Sequence, residues 1–446
     1  MEDGNEKKIE QNEDQIVYNC YDEDLVYPYK IQPKYKFYSF ISDEGSLGPI
    51  ATFINKEAKD EKGKLVCIKM IEKPYDTCSK GKKVLKLISI LRKLKHDNIV
   101  KLKSVYVEPN ENYENAYLYF DNMPCNLERL IISSFDCNKN NKKIIPYIIL
   151  QILKALNYLH TVGIIHRNLK PSNILIDENC HAEICGFGNA IYKNEYENIS
   201  RGEQNDFIGE KLGLNYQAPE VLASKKKCKE DYDEKVDLWA VGCILAELIT
   251  KESPFFTPLK TGKTRWIAMM NGIFKKLGKP SKECIEDFAS KERAKNIVKF
   301  KNFPKMDSKE LYNYCDDKNA IDLADKLLCI NPKKRISIME AIEHPFFDCV
   351  KDLIKDEDFF IEEKSFKFEY KKEIDKMETE NAFYDQQLKY YKNTIKMLKG
   401  DYNQVNILKN NLFNLNNNNN NNNYGYYSSK NFLSQTESTQ DRTDDI

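Results

Sequence analysis

Three short stretches in the middle of this 446-residue chain bring together side chains that could do chemistry. Lys69 sits inside an otherwise apolar run, Lys64-Leu-Val-Cys-Ile-Lys-Met-Ile71. About a hundred residues on comes His166-Arg-Asn-Leu-Lys-Pro-Ser-Asn173, then Cys185-Gly-Phe-Gly188. Lys69 and Lys170 are cations that could hold an anionic ligand. Asn168 and Asn173 are amides, polar but uncharged, with no useful basicity. A charged proton acceptor is missing from this set. Further on stand Ala218-Pro-Glu220, Asp237-Leu-Trp-Ala-Val-Gly242 and Arg335.

The elements that must position these groups follow from periodicity. Lys64 to Ile71 reads as a buried strand, and Ala116 to Phe120 as another. Between them Val84, Leu87, Ile88, Leu91 and Leu94 recur at helical spacing and give one apolar stripe. Past residue 121 the pattern is mostly helical. Ile149, Ile152, Leu153 and Leu156 form a second stripe, and Leu238 to Ile249 is apolar almost all round, as a central buried helix requires. The reading is a sheet-rich lobe followed by a helical lobe.

Composition sets the outer limits. Apolar residues make up 41% and charged residues 31%, enough for a sizeable core. Lys plus Arg equals Asp plus Glu at 69 each, so a net charge of +0 gives no reason to expect nucleic acid or a membrane surface as partner. The 13 cysteines contain no Cys-x-x-Cys pair, which suggests free thiols rather than zinc or disulfides. No apolar run reaches the length of a membrane span, and Met1 to Glu10 is charged rather than signal-like, so a cytoplasmic or nuclear protein is expected.

The order and spacing of these motifs resemble the eukaryotic protein kinases, from about Lys34 to Phe347. The segment Thr257 to Pro280 is similar to the insert of the group holding MAP kinases and cyclin-dependent kinases. Lys170-Pro-Ser-Asn173, Asn179 to Cys185, Ala320 to Leu328 and Phe366-Lys-Phe-Glu369 resemble MAP kinases in particular. The resemblance implies an α+β bilobal fold: a small β-rich N-lobe with one helix (34–121) and a larger helical C-lobe (122–347). Residues 1–33 are expected to be a polar arm, 348–400 an extension with a helical tail, and 401–446 a disordered tail. That last segment carries the asparagine run Asn416 to Asn423. Asp136 to Lys143 is expected to be a solvated loop. Met377, Tyr384, Leu388, Tyr391, Ile395 and Leu398 at 3–4 spacing are expected to form a helix docked on its own domain, with tail self-association through a coiled coil as the alternative.

The resemblance also assigns positions. Lys69 is the nucleotide lysine, and its usual glutamate partner falls on Leu87. Gly45, Gly48 and Ile50 belong to the phosphate loop, whose first glycine is replaced by Asp43. Cys67 and Leu175 would sandwich adenine, with Phe120 as gatekeeper and Asp121 to Met123 as hinge. The proton-accepting aspartate falls on Asn168. Of the two metal ligands, Asn173 remains and the other falls on Gly186. Loss of general-base catalysis alone removes roughly 10²–10⁴ in rate. His166, Phe187 and Leu91 would stack between the lobes, Asp237 would hold the catalytic-loop backbone that includes Arg167, and Glu220 would pair with Arg335.

The activating T-x-Y site falls on Ile208-Gly-Glu210, with the receiving positions on Leu214 and Gln217 and the bracing threonine on Gly213. Glu210 is therefore weak as a phosphate mimic. Together these losses imply a MAP-kinase-like pseudokinase serving as scaffold or allosteric partner. ATP would bind weakly or without metal, and the ligand set argues against Mg²⁺. Proteins would bind through a docking groove, with Asp356, Glu357 and Asp358 as its acidic patch. A weakly active Ser/Thr kinase with atypical metal use, and a nucleotide-sensing switch without turnover, stand as alternatives.

Overall fold

Tyrosines and β-branched residues at alternate positions build most of the first hundred residues into antiparallel strands. A computed structural model describes residues 7–12, 15–22, 25–42, 47–59, 63–74, 76–107, 115–133, 142–193, 214–223, 233–253, 255, 265–312 and 315–353. The first sheet has the order β1 (Lys7–Asn12), β2 (Gln15–Asp22), β3 (Leu25–Ile31). The second comprises β4 (Tyr35–Ser42), β5 (Ile50–Asn55), β6 (Leu65–Glu72), β7 (Leu102–Val107) and β8 (Asn115–Asp121), in the order β4-β5-β6-β8-β7.

The expectation of a polar arm over residues 1–33 is corrected by this sheet. Within it Ile16, Tyr18 and Cys20 on β2, and Tyr29 and Ile31 on β3, are buried with Phe53, Ile68, Met70, Tyr117 and Tyr119 of the second sheet. Three hydrogen bonds tie the layers: Tyr18 Oη to the Tyr35 carbonyl at 3.0 Å, Tyr29 Oη to the Ile68 carbonyl at 3.5 Å, and Lys30 N–H to Tyr117 Oη at 3.0 Å. Ile16, Tyr18, Cys20, Tyr29 and Ile31 hold alternate strand positions, while most acidic residues of this segment fall before or between the strands in sequence, so average polarity hides the pattern.

Helix α1 (Cys78–Lys93) starts at Thr77, whose hydroxyl accepts the Lys80 N–H, and carries Arg92 and Lys93 in its last turn. Its first turn has no acidic residue to meet the helix dipole. Burial of Val84, Leu87, Ile88 and Leu91 holds it instead.

The helical lobe is built around α2 (Ile144–Thr161) and α3 (Lys235–Thr250). Nearly every residue of α3 from Val236 to Ile249 is buried, and α4 (Lys318–Leu327) packs along it. Two small sheets shape the loops between: β9 (Cys125–Asn126) with β10 (Ile174–Ile176) and β11 (Ala182–Ile184), and Ile164–Ile165 with Ile191–Tyr192. The lobes are fastened behind the cleft. Ile184 N–H donates to the Asn98 carbonyl at 2.9 Å, and Asn98 Nδ2 reaches Gln151 Oε1 and the Ala182 carbonyl, each at 2.9 Å. This is an α+β bilobal fold, a β-sheet lobe followed by a helical one. Asp136, Thr257, the 377–398 stripe and the asparagine run lie outside the described residues.

Candidate nucleotide cleft

Register on β6 decides what faces the cleft. Lys69 pairs with Ile50 on β5 and Leu118 on β8, and Cys67 pairs with Thr52 and Phe120. Directly paired residues share a face and neighbours along a strand alternate. Ile50, Thr52, Cys67, Lys69, Leu118 and Phe120 therefore line one face. The other face, with Phe53, Ile68, Met70, Tyr117 and Tyr119, is buried under the first sheet. Thr52 Oγ1 donates to Asn122 Oδ1 at 3.0 Å, which ties β5 to the connection between lobes running through Asp121 and Met123. Leu175 on β10 pairs with Asn126 on β9, placing it just beyond that connection.

Gly48 has φ +140°, and a Cβ there would lie 2.4 Å from the Met70 carbonyl oxygen. Close packing of the loop on β6 is reason enough for this glycine. Asp43 and Gly45 lie outside the described residues.

The loop from His166 to Asn173 hangs from Asp237 on α3. The Asp237 carboxylate accepts the His166 N–H at 2.9 Å and the Arg167 N–H at 2.8 Å, and meets His160 Nε2 at 2.9 Å. Burial by itself would raise the pKa of this carboxyl. The His160 hydrogen bond and charge outweigh it, and the net position is below the usual range. Arg167 has φ +65°, a left-handed geometry in which two successive N–H groups can meet one carboxylate. His166 packs edge-on to Phe187 at 4.9 Å, and its Nε2 donates to the Cys185 carbonyl at 2.9 Å. Burial lowers its pKa and keeps it neutral. Leu91 on α1 is buried, and α1 packs on the turn at Phe187.

Asn168 and Asn173 come together. Asn173 Nδ2 donates to the Asn168 carbonyl at 2.7 Å, and the Asn173 carbonyl accepts the Cys185 N–H at 2.9 Å. Gly186 has φ +86°, and a Cβ built on it would lie 2.6 Å from both Cγ and Nδ2 of Asn173. The Asn173 amide thus fills the space where a side chain at 186 would begin. Hard divalent cations need several oxygen ligands. At this point one neutral amide stands beside a glycine, and among the described residues no three His, Cys, Asp or Glu side chains gather to hold a metal. The residues do not fit Mg²⁺.

They do fit a nucleotide's apolar and anionic parts. Ile50, Cys67, Phe120 and Leu175 would contact a base, and Lys69 and Lys170 would meet phosphates. Burial pushes the Lys69 ammonium pKa down, and the nearby groups acting on it are the Cys185 and Cys67 thiols. Both thiols are themselves pushed up to about 12 by burial, so they are neutral at pH 7. Cys185 feels both Lys69 and Lys170, together with Glu183, whose carboxylate lies 3.7 Å from His181. Leu87 is buried at 5% exposure and offers Lys69 no charge.

In the helical lobe Arg335 Nη1 and Nη2 donate to Glu220 Oε1 and Oε2 at 2.7 and 3.0 Å, with both side chains fully buried. The guanidinium also covers the Trp239 ring at 5.2 Å and donates to the Cys329 and Lys235 carbonyls. Tyr216 Oη donates to Glu247 at 2.6 Å, seating the segment before Ala218 on α3. Ile208, Glu210 and Gly213 lie outside the described residues, as do Asp356, Glu357 and Asp358.

Sequence reasoning gave no role to His160, Thr52 and Cys185. His160 braces Asp237, Thr52 locks the lobe connection through Asn122 of the expected hinge, and the Cys185 thiol feels both lysines. Only Cys185 had a visible signal, since it directly precedes Gly-Phe-Gly.

The protein kinase domain model matches residues 44–347. The chain is 33% identical over 310 residues to "Mitogen-activated protein kinase HOG1" of Debaryomyces hansenii, covering 69% of this chain and 72% of that protein. It is 32% identical over 323 residues to "Mitogen-activated protein kinase sty1" of Schizosaccharomyces pombe, covering 71% and 84%. Over 298 residues it is 32% identical to "Extracellular signal-regulated kinase 1" of Dictyostelium discoideum, covering 66% and 52%.

Proposed function

The chain belongs to the protein kinase family, with a MAP-kinase-like Ser/Thr kinase fold, and from that premise we propose that it has given up phosphoryl transfer and serves phospho-signalling as a scaffold or allosteric partner. The observation that carries this reading is the Asn173 amide lying in the space beside Gly186, next to the uncharged Asn168. Kinase transition states are loose, and catalysis is mainly positioning plus neutralisation of phosphoryl charge by metal ions. A site with no metal seat and no basic acceptor loses both the neutralising ion and the proton route.

The function left to it is binding. Protein partners would engage the helical lobe and a docking groove completed by Asp356, Glu357 and Asp358. ATP would enter between Cys67 and Leu175, with Lys69 and Lys170 on its phosphates. Retention of those walls and cations favours a second reading, a nucleotide-sensing switch that changes lobe closure without turnover. The third, a slow kinase using Lys69, Lys170 and Asn173 with another metal, predicts activity that depends on Lys69.

The test is phosphate transfer to a generic Ser/Thr substrate by the full chain with Mg-ATP or Mn-ATP, beside Lys69→Ala. The expected result is the same background for both proteins. Transfer by the native chain that Lys69→Ala abolishes overturns the proposal.

A further inference from the structure

Two stretches of the helical lobe are almost without carboxylates. Residues 265–282 hold five Lys or Arg and no Asp or Glu, and residues 291–305 hold six with Glu292 as the only acid. The fold lays the two side by side. Lys279 N–H donates to the Phe303 carbonyl at 2.9 Å, and Met306 N–H to the Lys276 carbonyl at 3.0 Å. Phe300 meets Phe274 at 6.2 Å and Trp266 at 6.4 Å, and the Arg293 guanidinium covers the Trp266 ring at 4.5 Å.

Several of these cations serve the fold. Lys279 Nζ donates to the Val298 and Phe300 carbonyls, each at 2.7 Å, Arg293 donates to the Leu222 carbonyl, and Lys305 meets Asp325 at 2.9 Å. Burial lowers the Lys276 ammonium pKa, with Glu252 opposing and Lys275 adding to the effect. Lys275, Lys291, Lys295, Lys299 and Lys301 are exposed. None of these five has an ion pair with a carboxylate among the described residues. Glu286 and Asp287, between the two stretches in sequence, are engaged with Lys282 and Lys333. The neighbouring residues outside the description, 254, 256–264 and 313–314, include no Asp or Glu.

Exposed charge acts over about 8 Å at physiological salt, so this local excess decides what docks here, not the neutral total. A face of one sign takes an anionic partner, and its side chains select the kind. Phosphate is gripped best by the bidentate arginine fork, whereas the five exposed cations are all lysines and Arg293 is already held. A membrane surface also asks for apolar side chains to insert, and among the described residues of this face no large one is exposed. Ammonium groups on flexible stems suit carboxylates spaced along a chain. We propose that this face docks an acidic segment, a run of Asp and Glu, of a partner protein. It is opposite in sign to the groove ascribed to Asp356, Glu357 and Asp358, so the two surfaces would select different partners. Docking here is independent of whether phosphoryl transfer is lost.

The test is fluorescence anisotropy of a labelled oligo-glutamate peptide titrated with the full chain. Carbodiimide coupling of the bound peptide to nearby lysines, mapped by mass spectrometry, locates it. Couplings should concentrate on Lys275, Lys291, Lys295, Lys299 and Lys301, and binding should weaken as salt rises. Lys295→Glu, Lys299→Glu and Lys301→Glu combined should lower affinity at least about tenfold. Lys36→Glu, Lys59→Glu and Lys101→Glu combined make the same change in net charge at exposed lysines elsewhere, and should leave affinity unchanged. Thermal unfolding checks that both triple variants fold, and the coupling map of the native chain stands without them. No binding, an equal loss in both variants, or couplings scattered over the chain overturns the proposal. Tighter binding through the same lysines of random duplex DNA, of phosphatidylserine vesicles or of a second copy of the chain overturns it as well.

Discussion

Asp237 holds the backbone of His166 and Arg167 through a carboxylate with three partners, and one residue further along the same loop position 168 carries a neutral amide. The same contrast separates the buried Glu220–Arg335 pair from the cleft around Lys69. In the helical lobe, charges that fix backbone and helices are present and fully partnered. In the cleft, Lys69, Lys170 and Asn173 are present, while the positions where the kinase resemblance expects carboxylates hold Leu87, Asn168 and Gly186. On the proposed reading, the requirements of a stable fold and of a reaction separate within a few residues. A buried charge with its partner removed threatens the whole lobe, whereas a missing ligand on a cleft wall threatens only the chemistry.

That contrast can be broken by mutation, with effects that fall as the site moves from anchor to cleft. Arg335→Met leaves Glu220 buried without its partner and should cost about 3–5 kcal/mol, read from the denaturant midpoint. Asp237→Asn loses charge-assisted bonds to two N–H groups and to His160, at about 2–3 kcal/mol. Its pH dependence sharpens the point. The folded pKa of Asp237 lies below its unfolded value. Its contribution is therefore fully present above the unfolded pKa of about 3.9, and is lost as pH falls through the folded one. Acid titration of the native chain should show this loss, and the Asn variant should lack it.

Gly186→Ala must place a side chain at positive φ and displace the Asn173 amide, at about 1–3 kcal/mol. A small effect there would mean that the space beside Gly186 is open after all. Lys69→Met should do the reverse and stabilise. Burial lowers the folded pKa of this ammonium, so its charged form is a cost to the unliganded protein at neutral pH. That cost fades as pH rises through the depressed pKa. Removing the charge should raise Tm while abolishing stabilisation by ATP, read from thermal unfolding with and without the nucleotide.

Much of this is legible in the sequence, unevenly. The motif series from Lys69 to Arg335 places both lobes, because each motif binds a backbone geometry to a particular side chain. Helix α1 and the central helix α3 are readable from apolar spacing alone. The first sheet is hidden. Ile16, Tyr18 and Cys20, then Tyr27, Tyr29 and Ile31, recur at the strand period, but Val17 and Pro28 blur the alternation and the acidic residues before and between these runs dominate the composition. In the cleft, spacing is enough to name Leu87, Asn168 and Gly186 as the positions where the kinase resemblance expects carboxylates. That Asn173 fills the space beside one of them is a matter of side-chain packing, which spacing does not encode. The His160–Asp237 contact joins residues 77 apart and belongs equally to tertiary structure.

The central claim is that the cleft retains its walls and cations yet moves no phosphate. Phosphorus NMR of Mg-ATP incubated for hours with an equimolar amount of the full chain tests it without assuming a substrate. The account predicts β- and γ-phosphate signals that match those of a Lys69→Ala sample throughout. Accumulation of ADP that Lys69→Ala eliminates would contradict it.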